Sequence, residues 1–293
     1  MTASTLRPAE PTAVAEPASA PGAVRRLAVR VRAVLWALPV PILLAVLWDR
    51  GVAGGWTLPL GIQMQFLPTP LEVGRRLADL AVGGLIGDTY SGTLWVHLYA
   101  SSIRVVQGFA LAVAIAVPLG IVMGRSTPVY RLLEPTINLV RPIPVTAWAP
   151  LSLLIIGFGD RSTIFLVFLA AVFSILLNTL AGVRSVPPRL LEAAAMLGTR
   201  PAHTLYKVVL PAAIPQIVAG LRIALGLSWV ILVVGETVGI RVGLGALITQ
   251  AREQSRTDLI IAVMIVIGLA GFLADRLLVL LVRLCAGRRP LLP

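Results

Sequence analysis

The chain has 293 residues, 57% of them hydrophobic and only 13% charged, with a mean hydropathy of +0.91. Soluble domains carry roughly 25% charged residues, so this composition excludes a soluble globular fold and points to a polytopic membrane protein. The formal charge of +12 rests on 25 basic residues, all arginine except Lys207, and they gather at the edges of the apolar runs. That distribution is a topology signal and argues against a nucleic-acid patch.

The apolar runs are continuous and do not alternate, and several reach the roughly 20 residues that a span needs. A backbone in lipid must satisfy its own hydrogen bonds, so the expected fold is all-α with about six transmembrane helices. Residues 1–32 are rich in Ala, Pro and Thr and poor in large apolar side chains, and so predict a disordered cytoplasmic tail. Four arginines, Arg25, Arg26, Arg30 and Arg32, precede the first span at 33–48. A signal peptide is the competing reading; the long basic stretch favours a retained helix with its N-terminus inside. Within the outer segment that follows, Thr69, Pro70 and Glu72 predict a helix start with a capping box. Leu71, Leu77 and Leu80 are expected on one face, with Glu72–Arg76 and Arg75–Asp79 as ion pairs one turn apart. This helix either lies at the membrane interface or packs on the bundle.

The transmembrane core is expected over 99–283, after a unit of first span and outer segment at 33–98, and a short cytoplasmic tail is expected at 284–293. Its spans are predicted at Tyr99–Gly124, at Ile137–Phe158 with breaks from Pro142, Pro144 and Pro150, and at Ser162–Val183. A polar loop, 185–211, then interrupts the apolar pattern. Pro187 and Pro188 suit a helix start, RLLEAAAML is strongly helix-forming, and Gly198 is a natural C-cap. Thr199 is expected to cap a second short helix, ended by Leu210-Pro211. The last two spans are predicted from about Ala212 to Gly235 and from Leu259 to Val282. With six spans and an inside start, thirteen basic residues fall inside and seven outside, which agrees with the positive-inside rule.

Ionisable groups inside spans are costly and mark candidate sites. Arg104, Arg141, Arg222, Glu236 and Asp275 lie in or near spans, and Arg104 and Glu236 are close enough to the same outer end to pair. These groups are read either as ion pairs that hold the bundle or as residues of a translocation path. Arg141, Trp148 and Glu236 are the path candidates, Arg141 foremost because two prolines beside it open the backbone and a guanidinium can bind an anionic headgroup through two hydrogen bonds. No phosphate loop is present, since the only lysine follows Tyr206, and no metal-ligand cluster or hydrolytic triad can be assembled. No cofactor is expected. A single cysteine, Cys285, precludes an intrachain disulfide.

The loop carries Glu192, Ala193, Ala194, three residues, Gly198, nine residues, Val208, one residue, then Leu210 and Pro211. This resembles the signature E-A-A-x3-G-x9-I-x-L-P of the permease subunits of bacterial ABC importers, with Val208 in place of Ile. FLPTPLEV (66–73), the stretches 102–126 and 141–160, and Gly243–Gly245 look similar to the nitrate/sulfonate/taurine group of these permeases. The resemblance implies a type I importer permease that couples through Glu192, Ala193, Ala194, Gly198, Leu210 and Pro211 to an ATP-binding subunit. It implies two such subunits, an outer solute-binding protein, a homodimer of permeases in the cell membrane and no nucleic-acid partner. ATP hydrolysis would sit in the separate subunit. A small anion is the implied solute, with an aliphatic sulfonate as the narrow choice. The rival reading, an ion-coupled secondary transporter, would need acids free to carry protons or sodium, and only Glu236 and Asp275 are available.

Overall fold

The computed structural model describes residues 39–286. The tail predicted at 1–32, the first part of the first span and most of the tail predicted at 284–293 lie outside the described residues. Helix α1 (Pro39–Ala53) continues the first predicted span. A two-residue antiparallel ladder, β1 (Thr57–Leu58) with β2 (Ile62–Gln63), leads to α2 (Pro70–Val82). The core then follows as α3 (Leu94–Arg125), α4 (Thr127–Val140), α5 (Trp148–Ile156) and α6 (Asp160–Arg184). Next come the short α7 (Pro188–Met196) and α8 (Pro201–Thr204), a π-helical turn at Leu205–Val209, then α9 (Leu210–Glu236), α10 (Leu244–Glu253) and α11 (Thr257–Ala286).

Among the described residues, four continuous helical stretches are long and apolar enough to cross a membrane: Leu94–Arg125, Asp160–Arg184, Pro201–Glu236 and Thr257–Leu284. The third predicted span is instead a bent pair, α4 and α5, that turn 73° between them. Pro142 and Pro144 lie in the break, where a missing N–H and a fixed φ end a helix. The break at Pro142 and Pro144 thus follows from the sequence, while its sharpness does not; the break expected at Pro150 is absent, because that proline sits in the first turn of α5, where its missing N–H costs no helical bond.

Helix α6 runs through the middle, packed against α3 on one side and α9 on the other. Lipid supplies no hydrophobic drive between helices, so close approach through small residues must do that work. A Cβ added at Gly108 or Gly120 of α3 would stand 2.7 Å from Val167 Cγ1 or 2.8 Å from Thr179 Cβ of α6. One at Gly220 of α9 would stand 2.5 Å from Asn178 Cβ. One apolar cluster, with Ile175, Leu176, Met123 and Ala224, fills this three-helix seam. A second, with Leu80, Trp229, Leu232, Leu244, Leu247 and Val263, ties α2, α10 and α11 to the far end of α9.

The capping box of α2 forms as predicted: Glu72 N–H donates to Thr69 Oγ1 at 3.3 Å, and Thr69 N–H to Glu72 Oε2 at 2.7 Å. The predicted face holds at Leu77 and Leu80 but not at Leu71, and neither predicted ion pair forms. Val73, Arg76, Leu77 and Leu80 turn inward, and Leu71 is exposed. Arg76 is buried under α11 and bonds Asp258 at 2.7 Å and Asp88 at 2.5 Å, leaving Glu72 to its cap. Asp258 sits in the first turn of α11, so the tertiary partner displaces the local one. The helix packs on the bundle, the second of the two readings.

The carboxylates of this cluster predict its acid response. Burial pushes the Asp79 carboxyl up, but N–H donors from Ile86 and Leu85 and the Ser91 hydroxyl outweigh it and hold it below the ordinary 3.8. Burial opposes ionisation at Asp88 too, and the Arg76 guanidinium and the Tyr90 amide prevail there in the same direction. A lowered folded pKa contributes stability that is present above the unfolded value and is lost as pH falls through the folded one. Protection of the α2 amides against hydrogen exchange should therefore hold from about pH 7 to about pH 4 and collapse only below that. Collapse near pH 6 would contradict the assignment.

Candidate functional site

Three places carry the candidate residues: the 185–211 loop, the break between α4 and α5, and the opposite end of the bundle. In the loop, α7 ends in a Schellman turn. Gly198 has φ +67°, its N–H donates to Ala195 O at 2.9 Å, and Thr199 N–H donates to Ala194 O at 3.1 Å. Only a residue tolerant of the left-handed region closes this turn without strain. Thr199 does not cap the second helix as predicted. Its hydroxyl donates to Ala194 O at 2.7 Å, satisfying the end of the first helix, and Arg200 takes the N-cap position without a side-chain bond.

Leu210-Pro211 does not end the second helix either. The helical path runs on from Pro201 to Glu236. A π-turn precedes the proline, and Leu210 N–H reaches back to Leu205 O. Pro211 has no N–H to offer a regular helix, and the wider turn absorbs that loss before α9 begins. Leu210 and Pro211 are half-buried at the root of α9, where Val183, Val186, Val209 and Ala213 seat the loop on the bundle. Ala194 packs inward, whereas Glu192 and Ala193 are exposed. Glu192 has no ion-pair partner among the described residues, Arg189 included. Next to it Met196 is 89% and Leu197 82% exposed, and Tyr206 is exposed as well. Sequence reasoning passed over these three; two large apolar residues ahead of a capping glycine in a polar loop were the available signal.

At the second place, Arg141 caps α4 and lines a cavity of about 380 Å³ with Val145 from the break, Phe173, Ser174, Leu177 and Asn178 from α6, and Ile223 and Leu227 from α9. Trp148 is half-buried at the start of α5 and does not line this cavity, nor does Glu236. Ser174 and Asn178 are polar groups that sequence reasoning did not single out, because a lone Asn in an apolar helix gives no local pattern.

At the opposite end, Glu236 has no exposed surface. Its carboxylate accepts from Arg104 Nη1 at 2.5 Å, from the Ser101 hydroxyl at 2.8 Å and from Gly245 N–H at 2.8 Å. The neighbouring amides find partners on α3: Leu244 N–H donates to Ser101 Oγ at 2.8 Å and Gly243 N–H to His97 Nδ1 at 3.0 Å. Three successive amides at the start of α10 are thus capped by three side chains from other helices, the interaction that a helix N-terminus favours. Both glycines are required by proximity, since a Cβ at Gly243 would meet the Glu236 carboxyl at 2.5 Å and one at Gly245 would meet Val233 O at 2.7 Å. Arg104 also bonds Asp160, the first residue of α6, at 2.8 Å. The Arg104–Glu236 pairing considered from sequence is therefore present, and it ties α3, α6, α9 and α10 together. A second pair, Arg222 with Asp275, joins α9 to α11 through two bonds of 2.7 and 2.9 Å.

Residues 116–287 match the family model described as binding-protein-dependent transport system inner membrane component. The taurine transport system permease protein TauC of Escherichia coli (strain K12) is 40% identical over 234 residues, 80% of this chain and 82% of that protein. The nitrate import permease protein NrtB of Synechocystis sp. is 34% identical over 217 residues, 73% of this chain and 78% of that protein. Among solved structures, a chain of the MetNI methionine ABC transporter in an inward-facing conformation superposes with a TM-score of 0.52 at 20% identity, covering 67% of this chain and 98% of that chain. At that identity the likeness bears on the fold, a type I importer permease, and on nothing further.

Proposed function

The chain belongs to the family of binding-protein-dependent transport system inner membrane components, and from that membership we propose how it works as the permease subunit of an ATP-driven importer. The family implies an ATP-binding subunit and a solute-binding protein as partners. Our reading is finer: two permease chains form the path, two ATP-binding subunits drive it, and the binding protein delivers solute from outside. The 185–211 loop and both ends of the chain face the cytoplasm. Closure of the ATP-bound subunits moves α7 through Glu192, Ala193, Ala194 and Gly198, while Leu210 and Pro211 pass the movement into α9. The chain itself does not hydrolyse ATP. The solute is a small anion, and a sulfonate is favoured by the taurine relative.

The observation that carries this reading is the exposed tip of α7. Met196 and Leu197 are more than four-fifths exposed, on a helix whose Glu192 has no ion-pair partner among the described residues and whose inner face alone, at Ala194, is covered. Large apolar side chains held outward at a fixed angle mark a protein-binding surface. Both acids that ion-coupled transport would need, Glu236 and Asp275, are already bound by arginines, which argues against the secondary-transporter reading. We place Arg141 on the translocation path and take Trp148 and Glu236 off it, because neither borders the cavity that Arg141 lines.

Aspartate at both Met196 and Leu197 should abolish co-purification with the ATP-binding subunit. The thermal transition of the isolated chain should stay within a few degrees, since surface changes cost about 0.5 kcal/mol or less. An intact complex would refute docking at α7.

A further inference from the structure

The helix pair α4–α5 is held more loosely than the rest of the core. No residue of α4 is buried, and only Ala149 and Ser152 of α5 are. The two helices meet at the 73° elbow where Pro142 and Pro144 withhold their N–H groups. Past α5, Gly157 and Gly159 have φ +93° and +118°, backbone that glycine adopts freely. Behind the elbow a cavity of about 380 Å³ separates Val145 from Phe173, Leu177 and Leu227 of α6 and α9. A short pair with a joint at each end and space behind it has the build of a hinged element. Its fasteners to α6 are few. At the outer end the Ser162 hydroxyl donates to Gly157 O. At the inner end the guanidinium of Arg184, the last residue of α6, lies 3.5 Å from the centre of the Tyr130 ring. The Tyr130 hydroxyl donates to Glu134 one turn on, which makes the ring more electron-rich and so favours the cation. Arg184 has no ion-pair partner among the described residues. Val129, Leu133 and Ile137 also rest on the seam, but apolar contacts have no direction and allow sliding.

Arg184 stands where the 185–211 loop begins. Val183 and Val186, on either side of it, are buried in the cluster that seats the loop on the bundle, so a shift of the loop root carries the guanidinium with it. We propose that Tyr130 is a positioning residue of the transport cycle: through Arg184 it passes movement of the loop root into α4, and so to the elbow and α5. This is a second route, beside the one through Leu210 and Pro211 into α9, and it rests on the reading of 185–211 as the coupling loop. The contact suits the task in strength. Arg184 is exposed and Tyr130 half-buried, and a cation–π contact at such a site biases an equilibrium by about two- to fivefold. That links two elements without locking them.

The test uses the permease assembled with its ATP-binding subunit in lipid nanodiscs, with no solute added. Hydrogen exchange followed by mass spectrometry compares the nucleotide-free complex with one trapped by ATP and vanadate. Peptides from 127–156 should exchange at different rates in the two states, while those from the middle of α6 should not. Tyr130→Leu should shrink that difference about two- to fivefold and leave the response of 188–198 intact. Tyr130→Phe keeps a ring under Arg184 and should stay near native. Arg184→Ala should match Tyr130→Leu, and the two changes together should lose no more than either alone, as expected for partners in one contact. A native-sized difference in Tyr130→Leu, additive losses in the double variant, or lost protection of α6, which would make the contact mere support, would each overturn the proposal. A loop that responds to nucleotide above a silent 127–156 sinks this proposal alone. A loop at 188–198 that ignores nucleotide in the native complex sinks the coupling reading, and the proposal with it.

Discussion

Replacing Arg104 by alanine should destabilise the bundle more than any other single change outside the loop. The Glu236 carboxylate would stay fully buried with its cation gone, keeping only Ser101 and the Gly245 amide. Breaking a buried pair from one side costs about 3–5 kcal/mol, because the remaining charge is uncompensated. That is a large share of the 5–15 kcal/mol typical of a whole domain, so the variant should reach the membrane poorly and unfold early in detergent. Glu236→Gln should be milder. The amide can still accept from Ser101 and Gly245, and Arg104 keeps Asp160, which reaches solvent. The informative variant is the double change Arg104→Met with Glu236→Leu. With both charges removed, the desolvation penalty disappears as well, and apolar replacements of buried pairs are often neutral or better. The double variant should therefore recover most of the stability lost by Arg104→Ala, as measured by the thermal transition and the monodisperse fraction. If Arg104→Ala alone costs less than about 1 kcal/mol, the site is hydrated and the sealed-pair picture is wrong.

What the sequence revealed and what it hid divide along range of interaction. The spans are legible because hydropathy is a property of one helix in lipid. The Gly198 turn is legible because a C-cap needs only its own few residues, and the break at 141–147 because proline acts on its own helix. The capping of Gly243, Leu244 and Gly245 by His97, Ser101 and Glu236 is not legible, since the partners are up to 146 residues apart and no local period joins them. Arg104–Glu236 could be suspected only from shared depth in the membrane. At α2 the local pattern misled, because Arg76 was matched with Glu72 one turn away and instead meets Asp88 and Asp258 from other elements, with Asp79 of its own helix farther off at 3.6 Å. Pro211 misled for another reason: its effect on a helix depends on whether the preceding turn can widen, and Leu205–Val209 does so. Of the loop, the part that meets a partner was readable as motif residues, whereas Met196 and Leu197 stood out only once their exposure was known.

Valine at Gly198 should uncouple transport while leaving the chain folded. A Cβ at this position would meet nothing within 4 Å, so crowding is not the issue. The cost is in the backbone: φ is +67°, and an L-residue there loses about 1–2 kcal/mol, more when β-branched. In the interior such a loss would be tolerated by the surrounding packing. At the exposed end of α7 little packing opposes relaxation, so the turn opens. A shift of 1–2 kcal/mol changes the population of the Schellman turn by roughly 5- to 30-fold, and α7 then no longer presents Glu192, Met196 and Leu197 at a fixed angle. Uptake by the complex should fall by about that factor. ATP hydrolysis should persist but respond less to loaded binding protein. Asparagine, which visits the left-handed region more readily, should lie between glycine and valine and close to glycine. This ordering separates the turn from mere proximity. If the partner needed glycine for space, asparagine and valine would fail alike, because both add side chains of similar reach. Equal loss in the two variants would transfer the role of Gly198 from setting an angle to admitting a neighbouring backbone, and native uptake in both would remove it from coupling altogether.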